Sequence, residues 1–366
     1  MKPRRVVISG GGTGGHLYPA LAVGHKLREK DPSLALTYVG GHREIERKIM
    51  AEQDVDFIPM RIEGLKGRGL KSFRALFLIP LSFLRALVLL ARIRPALVIG
   101  VGGYSSGPVV LSAAWMRMPT LILEQNVRPG FTNRMLARWV DKAVVAFESS
   151  LPRFRGKGVR LGNPVREEFY AMPRRAGQNK LTVLVFGGSQ GSRFLNLTVT
   201  GALPLLREKR DLLTLIHQTG KDDREWVAKA YRESGFGNAT VAPYFPEMAE
   251  CFQMSDLIVS RAGATTCAEL IASGKPSLLI PFAGASENHQ EPNARELESA
   301  GGAEVVLEKD LTPEVLARKV LDILAHPEVL DRMAGGLAGL QTTGAADAIA
   351  ELCFGLMEGK AQEIGT

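Results

Sequence analysis

Two stretches 176 residues apart share one local grammar, and that repetition limits the fold more than any other feature of the chain. Arg5 to Ile8 is a short apolar run that leads into Gly10-Gly11-Gly12-Thr13-Gly14-Gly15-His16. Leu17, Ala20, Leu21, Val23 and Leu27 then recur at helical spacing. Leu181 to Phe186 repeats the pattern, passing through Gly187-Gly188-Ser189-Gln190-Gly191-Ser192 into a helix that starts with Phe194, Leu195 and Leu197. A strand that opens through a glycine loop into a helix begins a parallel, doubly wound sheet. Two such openings predict two Rossmann-like α/β domains, and 366 residues exceed what one core usually fills. Glycine and proline interrupt the periodicity at Leu161-Gly162-Asn163-Pro164, which predicts a first domain over 1–162 and a second from 163.

The stretch from Ser260 to Asn293 carries the most chemistry. It reads as the end of a strand (Asp256-Leu257-Ile258-Val259), a small-residue turn (Arg261-Ala262-Gly263-Ala264), a helix from Thr265 to Ser273, and a buried strand from Ser277 to Pro281. In such a βαβ unit the turn amides and the helix N-terminus face outward at the carboxyl edge of the sheet, where a phosphate can sit. Thr265 and Thr266 add hydroxyls, and Glu269 follows one turn later on the same side. A carboxylate there suits the two hydroxyls of a ribose better than it suits phosphate. His289, Gln290 and Asn293 add donors and acceptors at the next strand-to-helix crossing. Together they predict a phosphorylated, sugar-bearing ligand such as a nucleotide sugar, against the plainer reading of an ordinary crossover.

Further polar loops end the strands of the first half. Leu97 to Val101 opens into Gly102-Gly103-Tyr104-Ser105-Ser106-Gly107-Pro108, and Thr120 to Leu123 ends in Glu124-Gln125-Asn126. Gly10, Gly12 and Gly15 satisfy the GxGxxG dinucleotide spacing, but the next strand, Leu34 to Val39, ends in Gly40-Gly41-His42 with no acid to hold an adenosine ribose. That argues against a nicotinamide cofactor and an oxidoreductase. Asp54-Val55-Asp56 is the acidic pair that metal-dependent sugar transferases use, yet it lies outside the glycine loops and reads as a solvated turn, so no metal is expected.

Residues 1–162 carry 26 Lys and Arg against 11 Asp and Glu, whereas the remainder carries 20 against 27. Only the first half would be drawn to an anionic surface. Within it, residues 61–94 hold eight basic side chains against one acid, Glu63, around the apolar run from Ala75 to Leu84. Interrupted by Pro80 and closed by Arg85, that run is too short to cross a bilayer. A basic-flanked amphipathic surface would lie in the interface of an anionic membrane, the alternative being a domain helix with a solvated basic rim. Cys251, Cys267 and Cys353 lack zinc-site spacing and read as reduced cytosolic thiols; Val6-Val7-Ile8 is too short for an export signal. The last six residues, 361–366, read as frayed.

The ordered motifs GGTGGHLYPALA, GGYSSGP, EQNVRPGFTN, GNPVR, GGSQGS and SRAGATTCAEL through HQEPNA resemble those of the bacterial undecaprenyl-diphospho-muramoylpentapeptide β-N-acetylglucosaminyltransferases, in glycosyltransferase family 28. The likeness spans nearly the whole chain. It implies a GT-B fold, α/β with two Rossmann-like doubly wound domains facing across a cleft: 1–162 for the acceptor and membrane, 163–342 for the donor, and 343–366 as a helix returning to the first domain. It implies an inverting, metal-independent transfer of GlcNAc from UDP-GlcNAc to undecaprenyl-diphospho-MurNAc-pentapeptide, without cofactor or nucleic acid. The expected location is peripheral, on the cytoplasmic face of the inner membrane, with cell-wall synthesis and division proteins as candidate partners.

Carried over residue by residue, the resemblance assigns donor binding to Thr13, Gly14, Gly15, Asn126, Arg166, Ser189, Phe245, Gly263, Ala264, Thr265, Thr266, Cys267, Ala268, Glu269, His289 and Gln290. It assigns the acceptor to Gly12, Thr13, His16, Gly103, Tyr104 and Ser105. Some family members have Gln-Gln where this chain has His289-Gln290, which leaves open which of the two touches the sugar. The reaction needs a general base. His16, with an ordinary pKa of about 6.5, is the first candidate; it could instead hold the acceptor or cap its helix, and Glu124 is the rival base. The helix start at Gly263 to Thr266, helped by Arg166 or Ser189, would stabilise the departing diphosphate. Alternatives are another GT-B enzyme acting on UDP-GlcNAc, either a glycolipid transferase or an epimerase, and a non-catalytic peripheral membrane module.

Overall fold

The computed structural model describes the chain except residues 1–3, 12, 13, 43–45, 48, 49, 52, 54, 61–70, 171, 173–179 and 360–366, and describes backbone alone at 14, 71–79 and 286. The chain divides into two compact units, Met1–Val165 with Gly344–Thr366, and Arg166–Thr343. Gly12, Thr13, Asp54, the basic residues of 61–70 and the tail 361–366 lie outside the described residues.

Unit 1 holds seven parallel strands, β1 (Arg5–Ser9), β2 (Ala35–Gly40), β3 (Asp56–Pro59), β4 (Leu97–Gly100), β5 (Thr120–Glu124), β6 (Lys142–Val145) and β7 (Gly158–Arg160), in the order β3-β2-β1-β4-β5-β6-β7. Such strands are covered by helices on both faces, which is why β1, β4 and β5 are near-continuous apolar runs. Alternation sorts their side chains. Val6 and Ile8 pack with Leu17, Ala20 and Leu27 of α1 (Gly14–Lys30). Val7 points the other way, into a core with Leu90 of α2 (Lys71–Ile93) and Val109 and Ala113 of α3 (Ser106–Trp115). A short helix, α4 (Phe131–Leu136), adds Leu136 to that side. Two expectations need correction. Pro80 lies inside α2 instead of breaking it. Asp56 opens β3 and accepts a 2.9 Å hydrogen bond from Thr37 Oγ1, so it is a strand residue and not a turn residue.

Unit 2 repeats the plan with six parallel strands, β8 (Leu181–Phe186), β9 (Leu213–Gln218), β10 (Thr240–Ala242), β11 (Leu257–Ser260), β12 (Ser277–Leu279) and β13 (Ala303–Val305), ordered β10-β9-β8-β11-β12-β13. Its helices are α5 (Arg193–Leu206), α6 (Arg224–Glu233), α7 (Met248–Met254), α8 (Ala264–Ser273), α9 (Gln290–Ser299), α10 (Pro313–Ala325) and α11 (Glu328–Ala338). Val183 and Val185 of β8, Val259 of β11 and Leu195 and Val199 of α5 share its core. In each unit the strand order reverses beside the first strand, between β1 and β4 and between β8 and β11. Ligands of open α/β sheets bind at that reversal, outside the carboxyl ends of the strands.

The last helix, α12 (Ala345–Met357), belongs to unit 1. Ile349, Leu352, Cys353 and Leu356 join the core formed by α1 and β1, and burying an aliphatic side chain contributes roughly 1.5–3 kcal/mol. Lys26 and Lys30 reach Asp347 at 3.5 and 3.4 Å, and Lys30 also reaches Glu351 at 3.4 Å. These surface pairs orient the helix more than they hold it.

Candidate functional site

In unit 1 the loops after β1 and β4 interlock at the strand reversal. Gly103 has φ +79°, and a Cβ there would stand 2.4 Å from the Gly11 carbonyl oxygen, so only glycine allows this approach. His16, the third residue of α1, lies over the β4 loop: a Cβ on Gly102 would come within 3.0 Å of its Nδ1. Its Nδ1 is 3.2 Å from Gln125 Oε1, and Gln125 Nε2 donates to the Val101 carbonyl at 3.2 Å. Tyr104 is exposed and Ser105 buried, its carbonyl accepting from Ser9 Oγ at 3.2 Å.

Glu124 sits at the end of β5, only 3% exposed, and its two oxygens accept four N–H bonds. The Asn126 amide nitrogen and Asn126 Nδ2 donate to Oε1 at 2.9 and 3.1 Å; Gly130 N and Asn133 Nδ2 donate to Oε2 at 3.0 and 2.9 Å. Burial pushes the carboxyl pKa up, and the four bonds oppose that shift. Four donors fill the acceptor capacity of a carboxylate. The arrangement ties 126, 130 and 133 into one rigid turn.

No acid stands at the end of β2, but one packs beside the first glycine loop from further along the chain. Glu46, 1% exposed, lies against Gly11, Gly40 and Gly41, where an added Cβ would come within 3.2 Å of its carboxylate. It is too far past β2 for the usual strand-end position to reveal it.

Unit 2 gathers the Ser260–Asn293 residues as the sequence predicts. Gly263 caps α8 with φ −64° and ψ 149° and no side-chain acceptor, which leaves the first-turn N–H groups of Ala264 and Thr265 directed out of the helix. Thr265 Oγ1 is buried without a hydrogen-bond partner among the described residues, and Thr266 is half-buried. Burial raises the Glu269 carboxyl to about 7, with the Arg166 guanidinium pulling it back down. Arg166 is exposed, lies 5.1 Å from the Phe169 ring centroid and is 3.4 Å from Glu168. Ser189 is exposed on the glycine loop and Ala268 is half-buried. Cys267 differs from its neighbours: its thiol is fully buried, with its pKa pushed up to about 12, and its N–H bonds the Gly263 carbonyl, so it offers a ligand no free group.

Gln290 Oε1 accepts from Phe282 N at 2.9 Å and Ala262 N at 3.3 Å, joining the ends of β11 and β12. With its oxygen so engaged, the amide presents N–H donors and not an acceptor. His289 caps α9, and Asn293 Nδ2 donates to the Ala262 carbonyl at 3.3 Å. Phe245 N donates to Gln218 Oε1 at 2.8 Å while Gln218 Nε2 bonds the Gly188 carbonyl at 3.1 Å. Gln125, Gln218 and Arg261 are absent from the sequence-derived site. Their only sequence signal is a polar residue at or directly after the end of a buried strand.

Among the described residues no group of three His, Cys, Asp or Glu side chains could hold a metal ion. No helix among them is long and apolar enough to cross a membrane. On α2 the outward face carries Leu81, Leu84 and Val88 at 40%, 57% and 44% exposure, beside exposed Arg85 and Arg92. Trp115 of α3 is 71% exposed, with its ring 5.8 Å from Phe83.

Residues 6–145 match the glycosyltransferase family 28 N-terminal domain and residues 182–352 its C-terminal domain. The chain is 44% identical over 359 residues to the UDP-N-acetylglucosamine--N-acetylmuramyl-(pentapeptide) pyrophosphoryl-undecaprenol N-acetylglucosamine transferase of Anaeromyxobacter sp. (strain K), covering 96% of this chain and 93% of the relative. The crystal structure of Acinetobacter baumannii MurG is similar with a TM-score of 0.81 at 28% identity, over 96% of this chain and 99% of that one. A Listeria monocytogenes protein described as a UDP-N-acetylglucosamine 2-epimerase has a TM-score of 0.69 at 13% identity, covering 99% and 98%, a likeness of fold alone.

Proposed function

The chain belongs to glycosyltransferase family 28, and from that premise we infer that it moves GlcNAc from UDP-GlcNAc to the 4-hydroxyl of undecaprenyl-diphospho-MurNAc-pentapeptide, the lipid I to lipid II step of peptidoglycan synthesis. Its two doubly wound units are those of the GT-B class. The observation that carries this reading is 44% identity over 96% of the chain to a transferase of that name. The epimerase likeness rests on fold at 13% identity and carries no activity.

We assign the donor to unit 2. The Glu269 carboxylate accepts both ribose hydroxyls, the N-terminus of α8 with about half a positive charge faces the diphosphate, and Arg166 adds a full charge. Thr265 Oγ1 gains the partner it lacks. Of the His289-Gln290 pair, Gln290 is the better sugar contact, because its amide is already oriented with N–H groups available for a hydroxyl oxygen.

We assign the acceptor to unit 1 and the base to His16. Glu124 is poorly suited, because four N–H groups occupy its oxygens. His16 Nε2 takes the proton of the 4-hydroxyl as that oxygen bonds the anomeric carbon. The bond from that carbon to the diphosphate oxygen breaks, its electron pair leaves with UDP, and the configuration inverts. The protein works at the cytoplasmic face of the membrane, docked peripherally through the Leu81-Leu84-Val88 stripe and its arginines.

The test is transfer of radiolabelled GlcNAc from UDP-GlcNAc to a lipid-diphosphate muramoyl-pentapeptide in detergent, with and without EDTA. Product in both conditions supports the reaction and the metal-independent assignment. Product lost in EDTA reopens Asp54 and Asp56, and no product in either condition refutes the acceptor.

A further inference from the structure

We propose that Gln125 is a positioning residue that holds His16 in the tautomer protonated at Nδ1, so that the ring presents the lone pair of Nε2. The proposal rests on the reading of His16 as the base and concerns how that base is prepared.

The argument follows the hydrogen-bond polarity. The Val101 carbonyl can only accept, so the group of Gln125 that faces it at 3.2 Å is the NH₂. That fixes the amide orientation and turns Oε1 toward His16 Nδ1 at 3.2 Å. An amide oxygen can only accept, so Nδ1 carries the hydrogen and the neutral ring has its lone pair on Nε2. Val101 leaves β4 and Gln125 leaves β5, neighbouring strands of the parallel sheet, so the amide bridges two paired strand ends. Gln125 is 2% exposed, which keeps water from competing for the bond. Gly102 leaves room for the ring to lie on the loop, since a Cβ there would stand 2.9 Å from its Cε1. A base in the wrong tautomer would have to shuttle its proton before each turnover.

The experiment uses the full-length protein labelled with ¹⁵N-histidine, with the His16 signals assigned by their loss in His16→Asn. Long-range ¹H–¹⁵N correlation reads the tautomer directly, without substrate. Above the ring's titration the wild type is expected to show Nδ1 protonated. Gln125→Leu is expected to shift His16 toward the other tautomer and lower kcat roughly 10- to 100-fold, part of the ~10²–10⁴ that a general base supplies, with KM for UDP-GlcNAc unchanged. Gln125→Glu keeps an acceptor at Nδ1 while giving up the donor to Val101, and should recover the tautomer and part of kcat. Nε2 protonation in the wild type, or an unchanged tautomer and kcat in Gln125→Leu, overturns the proposal. Should Gln125→Leu fail to fold, the wild-type spectrum and Gln125→Glu still decide it. Full turnover by His16→Asn would instead refute the base reading, while the tautomer measured in the wild type continued to report on Gln125.

Discussion

Arg261 Nη2 donates a 2.8 Å hydrogen bond to Ser192 Oγ, tying the end of β11 to the glycine loop that follows β8. The same guanidinium pairs with Glu308, bonds the Ile280 carbonyl at 3.1 Å, and lies 5.6 and 5.3 Å from the ring centroids of Phe194 and Phe282. One buried cation thus joins four loops at the carboxyl edge of the second sheet.

Removing that cation should damage unit 2 more than its own contacts suggest. Arg261 and Glu308 have side chains only 9% and 19% exposed, so Arg261→Met leaves a largely buried carboxylate with the Ala283 N–H at 3.1 Å but no cation. Breaking such a pair costs about 3–5 kcal/mol. Chemical denaturation is expected to show a loss near the lower end of that range, together with a raised KM for UDP-GlcNAc. An unchanged midpoint would mean that Glu308 relaxes into water.

Donor binding should release protons. Burial holds the Glu269 carboxyl at about 7 in the free protein, so part of the population is neutral at pH 6.5. Ribose hydroxyls donate to the ionised form and favour it, which lowers the pKa on binding and expels a proton. Affinity for UDP-GlcNAc, whose diphosphate has no ionisation of its own in this range, should therefore fall as pH drops below 7. Calorimetry at pH 6.5 in two buffers of different ionisation enthalpy measures the release. Equal observed heats in the two buffers would place the ribose elsewhere, and Glu269→Gln should abolish any difference.

The alternating strands and helices were legible because each buried parallel strand is a short apolar run and each glycine loop marks a carboxyl edge. A helix was expected within 343–366, and the structure describes it over Ala345–Met357. The carboxyl-edge side chains were not legible in the same way. Gln125 acquires its role only by meeting His16, 109 positions earlier, and Arg261 only by meeting Ser192, 69 positions earlier. Glu46 packs against the first glycine loop from a place in the chain where no strand ends. Local pattern encodes which element a residue joins, whereas these pairings depend on which strands the topology makes neighbours. Cys267 shows the limit of motif matching: the motif includes it, while the helical face turns its side chain into the core.

Acid should destabilise the protein through His217. This fully buried ring in β9 has Nδ1 3.1 Å from the Tyr231 hydroxyl and Nε2 3.0 Å from Asn196 Oδ1, and burial lowers its pKa from 6.5 to about 3. The unfolded chain takes up the proton below 6.5, while the folded chain refuses it until about 3. Stability is therefore complete above 6.5 and falls with pH across that window, by up to about 1.4 kcal/mol per pH unit. Denaturant midpoints between pH 7 and 4 should show this slope, and His217→Gln should flatten it. A slope unaffected by the substitution would assign the acid sensitivity to the carboxylates.

Membrane docking should depend on side chains that the fold itself does not need. Leu84 is 57% exposed on α2, between exposed Leu81 and Val88 and next to Arg85, so Leu84→Ser removes apolar surface that water already touches. Folded stability should change by less than about 0.5 kcal/mol, as for ordinary surface positions. Burying a leucine in the acyl boundary contributes roughly 1.5–3 kcal/mol, so partitioning onto anionic vesicles should weaken about tenfold or more. Replacing Arg85 and Arg92 by Gln should weaken it by about 1 kcal/mol per charge, and only on anionic lipid. Co-sedimentation with phosphatidylglycerol-rich and pure phosphatidylcholine vesicles separates the two contributions. If Leu84→Ser bound both vesicle types as the wild type does, α2 would be a domain helix with a solvated rim, and the basic excess of residues 1–162 would have to act elsewhere.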